Sequence, residues 1–279
     1  MPKLIEDARH RASAPSHDGE GASPRPTGPS RARCRVRAKT LLTILAALVL
    51  APLTVVVGMG IPGNGYYLSG TLIVLYAIVP FFVAFEGRRP TAREIAVVAV
   101  LTALAVAARA AFVWVPHFKP MAAIIMIAGI AAGPQTGFLV GSVAALASNF
   151  IFGQGPWTPW QMLAFGVVGL VAGLLADARV FPRANLTWPR RIALAVTGFV
   201  LIVGLVGPIL DTSTFFYLST APTLELATAV YLAGLPVNAA HGAAVAVTLL
   251  LVANPLLDQL DRLRVKYGLL DRRHAPHRN

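Results

Sequence analysis

The chain has 279 residues, 56% of them hydrophobic and 13% charged, against roughly 25% charged in a soluble domain. This is the composition of an integral membrane protein and excludes an ordinary soluble one. The formal net charge is +12, which raises nucleic acid as a partner, but the distribution of the charge argues against it.

Of 24 Lys and Arg, nine fall in residues 1–39, three in 88–93, four in 177–191 and six in 258–279; only Arg109 and Lys119 lie elsewhere. Basic clusters between apolar runs mark cytoplasmic segments, with contact to anionic lipid as a secondary effect. The single cysteine, Cys34, permits no internal disulfide and no CxxC metal site.

Residues 1–37 are rich in Pro, Ser, Gly and Arg and read as a disordered cytoplasmic tail. They are not a signal peptide, because the first apolar run is too long for one and has no clear cleavage site. Leu41–Ile61 and Tyr66–Phe85 form a hydrophobic pair within 38–88, joined by an uncharged outer turn, Pro62-Gly-Asn-Gly65. The GxGxxG pattern at Gly58–Gly63 has no preceding strand and is no nucleotide site.

Ile95–Val115 then spans outward. Its Ala99, Ala103, Ala107 and Ala111 are four apart and stack on one helical face. Small residues let a second helix backbone approach closely. The face therefore serves either a partner or packing within the chain.

Met121–Ala132 follows. Its 12 residues reach about 18 Å, against a bilayer core of about 30 Å. Gly137–Phe152 and Gln161–Leu175 are the next pair. Asp177–Arg191 is a cytoplasmic loop, on the wrong side to use the sequon Asn185-Leu-Thr187. Ile192–Leu210 spans outward, Asp211–Thr223 is an outer loop, and Leu226–Val252 returns with a kink expected at Pro236. Asp258–Asn279 is a basic tail. The fold class is all-α: a polytopic membrane bundle with a six-helix core over 89–257, two extra N-terminal helices over 38–88, and both termini cytoplasmic.

The stretch Ser148–Gln161 carries the strongest functional signal. Gly153, Gly155, Pro156 and Pro159 break the helices, while Phe150, Phe152, Trp157 and Trp160 crowd in with the amides of Asn149, Gln154 and Gln161. Aromatic rings also mark membrane interfaces, but rings, amides and glycines packed together suit a loop over a flat polar ligand. Other polar residues collect at the same end: Arg109, His117 and Lys119, then Asn238 and His241, which are three apart on one helical face. The candidate substrate-binding set is Arg109, His117, Lys119, Asn149, Phe152, Gln154, Trp157, Trp160, Asn238 and His241. At Arg109 the other reading is snorkelling, or a pair with Asp211 or Glu225.

No HExxH, GxSxG, Walker A or intramembrane carboxylate pair is present, so neither an enzyme nor a metal site is expected. A stand-alone secondary transporter would need a charge or a broken helix at mid-membrane. Asp211 and Glu225 sit instead at the outer edge.

Arg93-Glu-Ile-Ala96, Phe118-Lys-Pro120, Asn149–Gln161 and Gly234-Leu-Pro-Val-Asn-Ala-Ala-His241 resemble the S components of energy-coupling factor (ECF) transporters over about residues 92–268. The resemblance is nearest to the subgroup that includes cobalamin-type S components. It implies a six-helix membrane subunit that binds a vitamin-like small molecule and docks on a transmembrane T component with two cytoplasmic ATPases. It also implies docking through Ala99, Ala103 and Ala107, and no cofactor of its own, since the partner subunits use the ATP. The N-terminal pair departs from the family pattern.

Overall fold

The computed structural model describes residues 92–183, 185–218 and 223–267, with scattered positions between 38 and 83. The tail 1–37 with Cys34, the turn Pro62–Gly65, the Gly58–Gly63 pattern and residues 268–279 lie outside the described residues, as does most of the N-terminal pair. Where that pair is described it touches the core. Ile44 is buried in a cluster with Phe138, Leu163 and Val167, and Tyr76 packs at its edge. The described residues contain helices and no strand.

The first core helix, α1 (Ala92–Ala111), carries Glu94 in its first turn and Arg109 in its last, as the helix dipole favours. Reverse turns then lead through Phe112–Phe118. The next helix, α2 (Met121–Ala132), is apolar on every side, and Met121 through Ile130 are all buried. A helix hydrophobic all round belongs in a core. Its shortness follows: α2 is wrapped by α1 and by the helices that come after it, so its length need not match the bilayer.

Gly133, at φ 97°, turns the chain into α3 (Pro134–Phe152), with Pro134 at the first helical position, where a missing N–H costs nothing. Gly153, at φ 103°, ends α3, its N–H bonded to the Asn149 carbonyl. The helix α4 (Thr158–Asp177) returns alongside. The three helices α2, α3 and α4 meet through glycines. A Cβ added at Gly129 or Gly137 would overlap the Gly169 carbonyl, and one at Gly141 would overlap that of Phe165. Such backbone contact is how membrane helices gain van der Waals energy without a hydrophobic drive.

The next rod is α5 (Trp188–Leu201), a π segment (Ile202–Val206) and α6 (Gly207–Leu218) in unbroken succession. This corrects the loop expected to begin at Asp211. The polar residues there do not end the helix, because they find partners within it and beside it. Thr212 Oγ1 donates to the Pro208 carbonyl at 2.7 Å, Thr214 Oγ1 to that of Leu210 at 3.1 Å, and Asp211 accepts from Asn238. Phe215 is buried.

The last helix, α7 (Leu224–Tyr267), includes both Pro236 and Pro255 and runs past Asp258. At the end away from the aromatic loop, Asn254 locks it to the α4–α5 connection. Asn254 accepts from the Leu186 N–H and donates to the Leu186 carbonyl, both at 2.9 Å. Asn185 donates to Asp258 at 3.0 Å, and Arg183 pairs with Asp177.

Five helices among the described residues are long and apolar enough to cross a membrane, over Glu94–Ala111, Pro134–Phe152, Thr158–Asp177, Trp188–Phe215 and Leu224–Leu263. The α2 helix is the shorter apolar one between them.

Candidate functional site

The antiparallel order brings the C-terminal ends of α1 and α3 together with the start of α2. A pocket of about 280 Å³ opens there, lined by Arg109, Phe112, Val113, Val115, Pro116, His117, Lys119 and Phe152. Four of the residues singled out from sequence therefore share one cavity: Arg109, His117, Lys119 and Phe152.

Arg109 is the best-anchored of them. Its Nη1 donates to Ser148 Oγ at 2.5 Å and to Asn149 Oδ1 at 3.1 Å. Its guanidinium lies 4.5 Å from the centroid of Phe152, a cation–π contact. It pairs with neither Asp211 nor Glu225. The planar, always-charged fork is held by neutral partners, so its charge is not cancelled where it faces the pocket.

His117 is exposed at φ 60°, a left-handed conformation uncommon outside glycine. It shapes the reverse turn that carries Lys119 back to the mouth. Lys119 remains open to solvent. The protein around its ammonium removes part of its hydration, and the Arg109 charge adds to this, so its pKa falls below the ordinary lysine value.

Asn149 is 1% exposed and is the hub of the aromatic loop. Its Nδ2 donates to Thr158 Oγ1 at 3.0 Å and to Gln161 Oε1 at 2.8 Å, while its Oδ1 holds Arg109. Thr158 donates in turn to Gln154 Oε1 at 2.9 Å, and Gln154 Nε2 donates to the Leu146 carbonyl at 3.1 Å. The amides expected at the ligand are thus spent largely on one another. They make a frame, and the frame aims Arg109. Ser148 and Thr158 are essential to it. The sequence placed Ser148 and Thr158 within the aromatic stretch but gave neither a role of its own.

The two tryptophans have different places. The Trp157 ring lies so close over Gly155 that a Cβ there would overlap it. Trp160 is buried on Phe215, with Ile209, Leu210, Leu226, Ala227 and Val230 around the pair. The pocket lining includes neither ring.

On α7, Asn238 is buried, and its Nδ2 donates to Asp211 Oδ2 at 2.9 Å. One turn on, His241 is 8% exposed and 6.3 Å between ring centroids from Phe165. It stands within electrostatic reach of Lys119, Arg109 and His117. Its Nε2 has no hydrogen-bond partner among the described residues.

The alanines of α1 lie on the opposite side of that helix from its packed face. Leu101 and Ala105 are buried inward, whereas Ala99, Ala103, Ala107 and Ala111 are exposed. The described bundle leaves this small-residue stripe uncovered, so packing within it is not the stripe's role.

Comparison with known proteins adds the lineage. The curated relatives it matches include a UPF0397 protein of Vibrio atlanticus, 38% identical over 56 residues, which is 20% of this chain and 30% of that protein. A UPF0397 protein of Aliivibrio fischeri is 36% identical over the same length and coverage. The chain spans about a third of the length of these relatives. No solved structure matches. The family model for the ECF-type riboflavin transporter S component matches residues 90–261, more than half the chain and every helix from α1 to most of α7. The match bears out the resemblance to S components and lends no support to the cobalamin-type subgroup. The chain belongs to the ECF-type riboflavin transporter S component family, and it is a multi-pass membrane protein.

Proposed function

We propose that the chain is the substrate-specific binding subunit of an ECF-type ATP-driven importer. It captures a vitamin-like planar molecule at the outer face and docks on a transmembrane T component driven by two cytoplasmic ATPases. Both termini are cytoplasmic in this reading, as the basic clusters direct. The observation that carries it is the family match over residues 90–261, because that stretch contains both the pocket and the exposed alanine stripe. Riboflavin is the first ligand to try, since the matched family is named for it.

Arg109, His117, Lys119 and Phe152 contact the ligand from the pocket wall. Asn149 and Gln154 hold the loop. Trp157, Asn238 and His241 complete the site from the loop and α7 as the ligand settles, while Trp160, packed on Phe215, supports the loop. The stripe Ala99, Ala103 and Ala107 is the docking face, where a partner backbone can come close only if the side chains stay small.

The test separates binding from docking. Ala103→Leu adds bulk at the point of closest approach but faces outward, so the isolated protein keeps its fold and riboflavin binding. It loses co-purification with the T component and loses uptake. If Ala103→Leu transports normally, the stripe contacts only lipid and the docking assignment falls.

A further inference from the structure

The pocket lining contains three basic side chains, Arg109, His117 and Lys119, and no carboxylate. Its other members are aromatic, aliphatic or Pro. Arg109 and Lys119 stand close enough for the Arg109 charge to act on Lys119. Like charges at one mouth repel, and no acidic neighbour offsets them there. Asp211 is engaged by Asn238, and no ion pair is formed by Arg109 or Lys119 among the described residues. Arg109 is moreover held in place by Ser148, Asn149 and Phe152, all neutral. A cation fixed by neutral hydrogen-bond partners keeps its charge free for something else.

Nearby, His241 is more than nine-tenths buried, with Nε2 unpartnered among the described residues. A buried polar nitrogen left unbonded destabilises the protein. A ligand that reaches it removes that cost.

We propose that this pocket recognises its ligand through an oxyanion, a phosphate ester or a carboxylate, bound between Arg109 and Lys119. His117 sits at the rim, and the ligand's flat body is directed toward Phe152. This rests on the binding-subunit reading and deepens it by naming the ligand chemistry the pocket favours: an oxyanion-bearing molecule is held more tightly than an uncharged one such as riboflavin. Arg109 supplies the planar fork, which matches two oxygens at once, and Lys119 supplies a mobile point charge. Partial burial strengthens the Arg109 share relative to water. The same oxyanion chemistry belongs to a lipid headgroup, so free ligand and lipid have to be told apart.

The experiment uses the full chain purified in maltoside detergent, with inorganic phosphate as the probe and chloride at matched ionic strength as the control. Thermal unfolding is followed across a phosphate titration, because an anion that binds only the folded state raises the unfolding temperature, and the rise grows with the logarithm of its concentration once that exceeds Kd. Phosphate stabilises the wild type beyond chloride. In Lys119→Gln, which removes an exposed side chain and leaves the fold alone, the phosphate concentration that gives a set temperature rise moves up by about tenfold, as for a lost charged hydrogen bond. Arg109→Lys, which keeps the charge but loses the fork, shifts it in the same direction.

A second arm repeats the titration in nanodiscs of phosphatidylglycerol and of phosphatidylcholine. A free-ligand site responds to phosphate equally in both, whereas suppression of the response by phosphatidylglycerol alone assigns the site to lipid and overturns the substrate reading. No phosphate-specific stabilisation in the wild type, or an unchanged response in both variants, overturns the proposal outright. The outcome stands apart from the importer reading. Anion binding without partner-dependent uptake would leave the oxyanion site in place and remove the importer, and uptake of a neutral vitamin without anion binding would do the reverse.

Discussion

Arg109 shows how a single charge is kept useful at a membrane surface. Its Nη1 is fixed by Ser148 and Asn149, and its guanidinium lies over the Phe152 ring. Each contact restrains the fork without neutralising it, so the cost of ordering a long side chain is met before ligand arrives. The two tryptophans of the aromatic loop divide along similar lines, and they give a test at this scale. Trp160 is buried against Phe215, so Trp160→Ala opens a cavity and destabilises the protein by about 3–5 kcal/mol, seen as a lower unfolding temperature. Trp157 is only partly buried, so Trp157→Ala leaves the unfolding temperature nearly unchanged and weakens riboflavin binding instead. Equal stability losses in both variants would show that the rings share one structural role. The sequence placed both rings in the loop but could not separate them. Which ring turns inward depends on α6 and α7, far along the chain, and no local pattern encodes that. Arg109, Lys119 and Phe152 were legible because a charge or ring beside a helix end has few places to go. The bonding of Asn149 to Thr158 and Gln161 was not, because an amide can serve a ligand or its neighbours equally well.

At the scale of the element, the glycines decide where backbones touch. Gly129, Gly137 and Gly169 bring α2, α3 and α4 into contact that leaves no room for a Cβ. Gly169→Ala drives a methyl group into the Gly137 backbone and destabilises the bundle by roughly 1–3 kcal/mol, measurable as a fall in unfolding temperature and in monodisperse yield. A neutral result would mean that the helices separate freely there. The contrast with α1 is instructive, because its alanines are equally small and yet uncovered. Small-residue spacing alone could not say which stripe packs inside and which faces out; the neighbours decide. Apolar runs located the described helices and gave the bounds of α2 to the residue, because long apolar runs and glycine or proline stops are local signals. These signals failed at α6. Asp211, Thr212, Ser213 and Thr214 read as a loop, but the threonine hydroxyls bond to the preceding turn and Asp211 reaches across to Asn238. Polar residues that satisfy one another look like a break in sequence and are none in space.

At the scale of the whole molecule, polarity is divided between two ends. One end carries the pocket and the aromatic loop, and the other carries the Asn254–Leu186 lock and the Arg183–Asp177 pair. We propose that the second end is cytoplasmic, following the basic clusters. Cysteine introduced at Gln154 should therefore react with an impermeant reagent in intact cells, and cysteine at Arg183 only after permeabilisation. Labelling of Arg183 from outside would invert the orientation. We propose that this chain binds substrate by itself but moves it only with partners. The direct measurement is uptake of radiolabelled riboflavin into cells that lack other riboflavin transport, with this chain expressed alone or together with a T component and its two ATPases. The account predicts uptake only in the full set, abolished by a Walker A mutation in the ATPases, while the purified chain alone binds the vitamin. Uptake by the chain alone, driven by an ion gradient in proteoliposomes and indifferent to the ATPases, would contradict it.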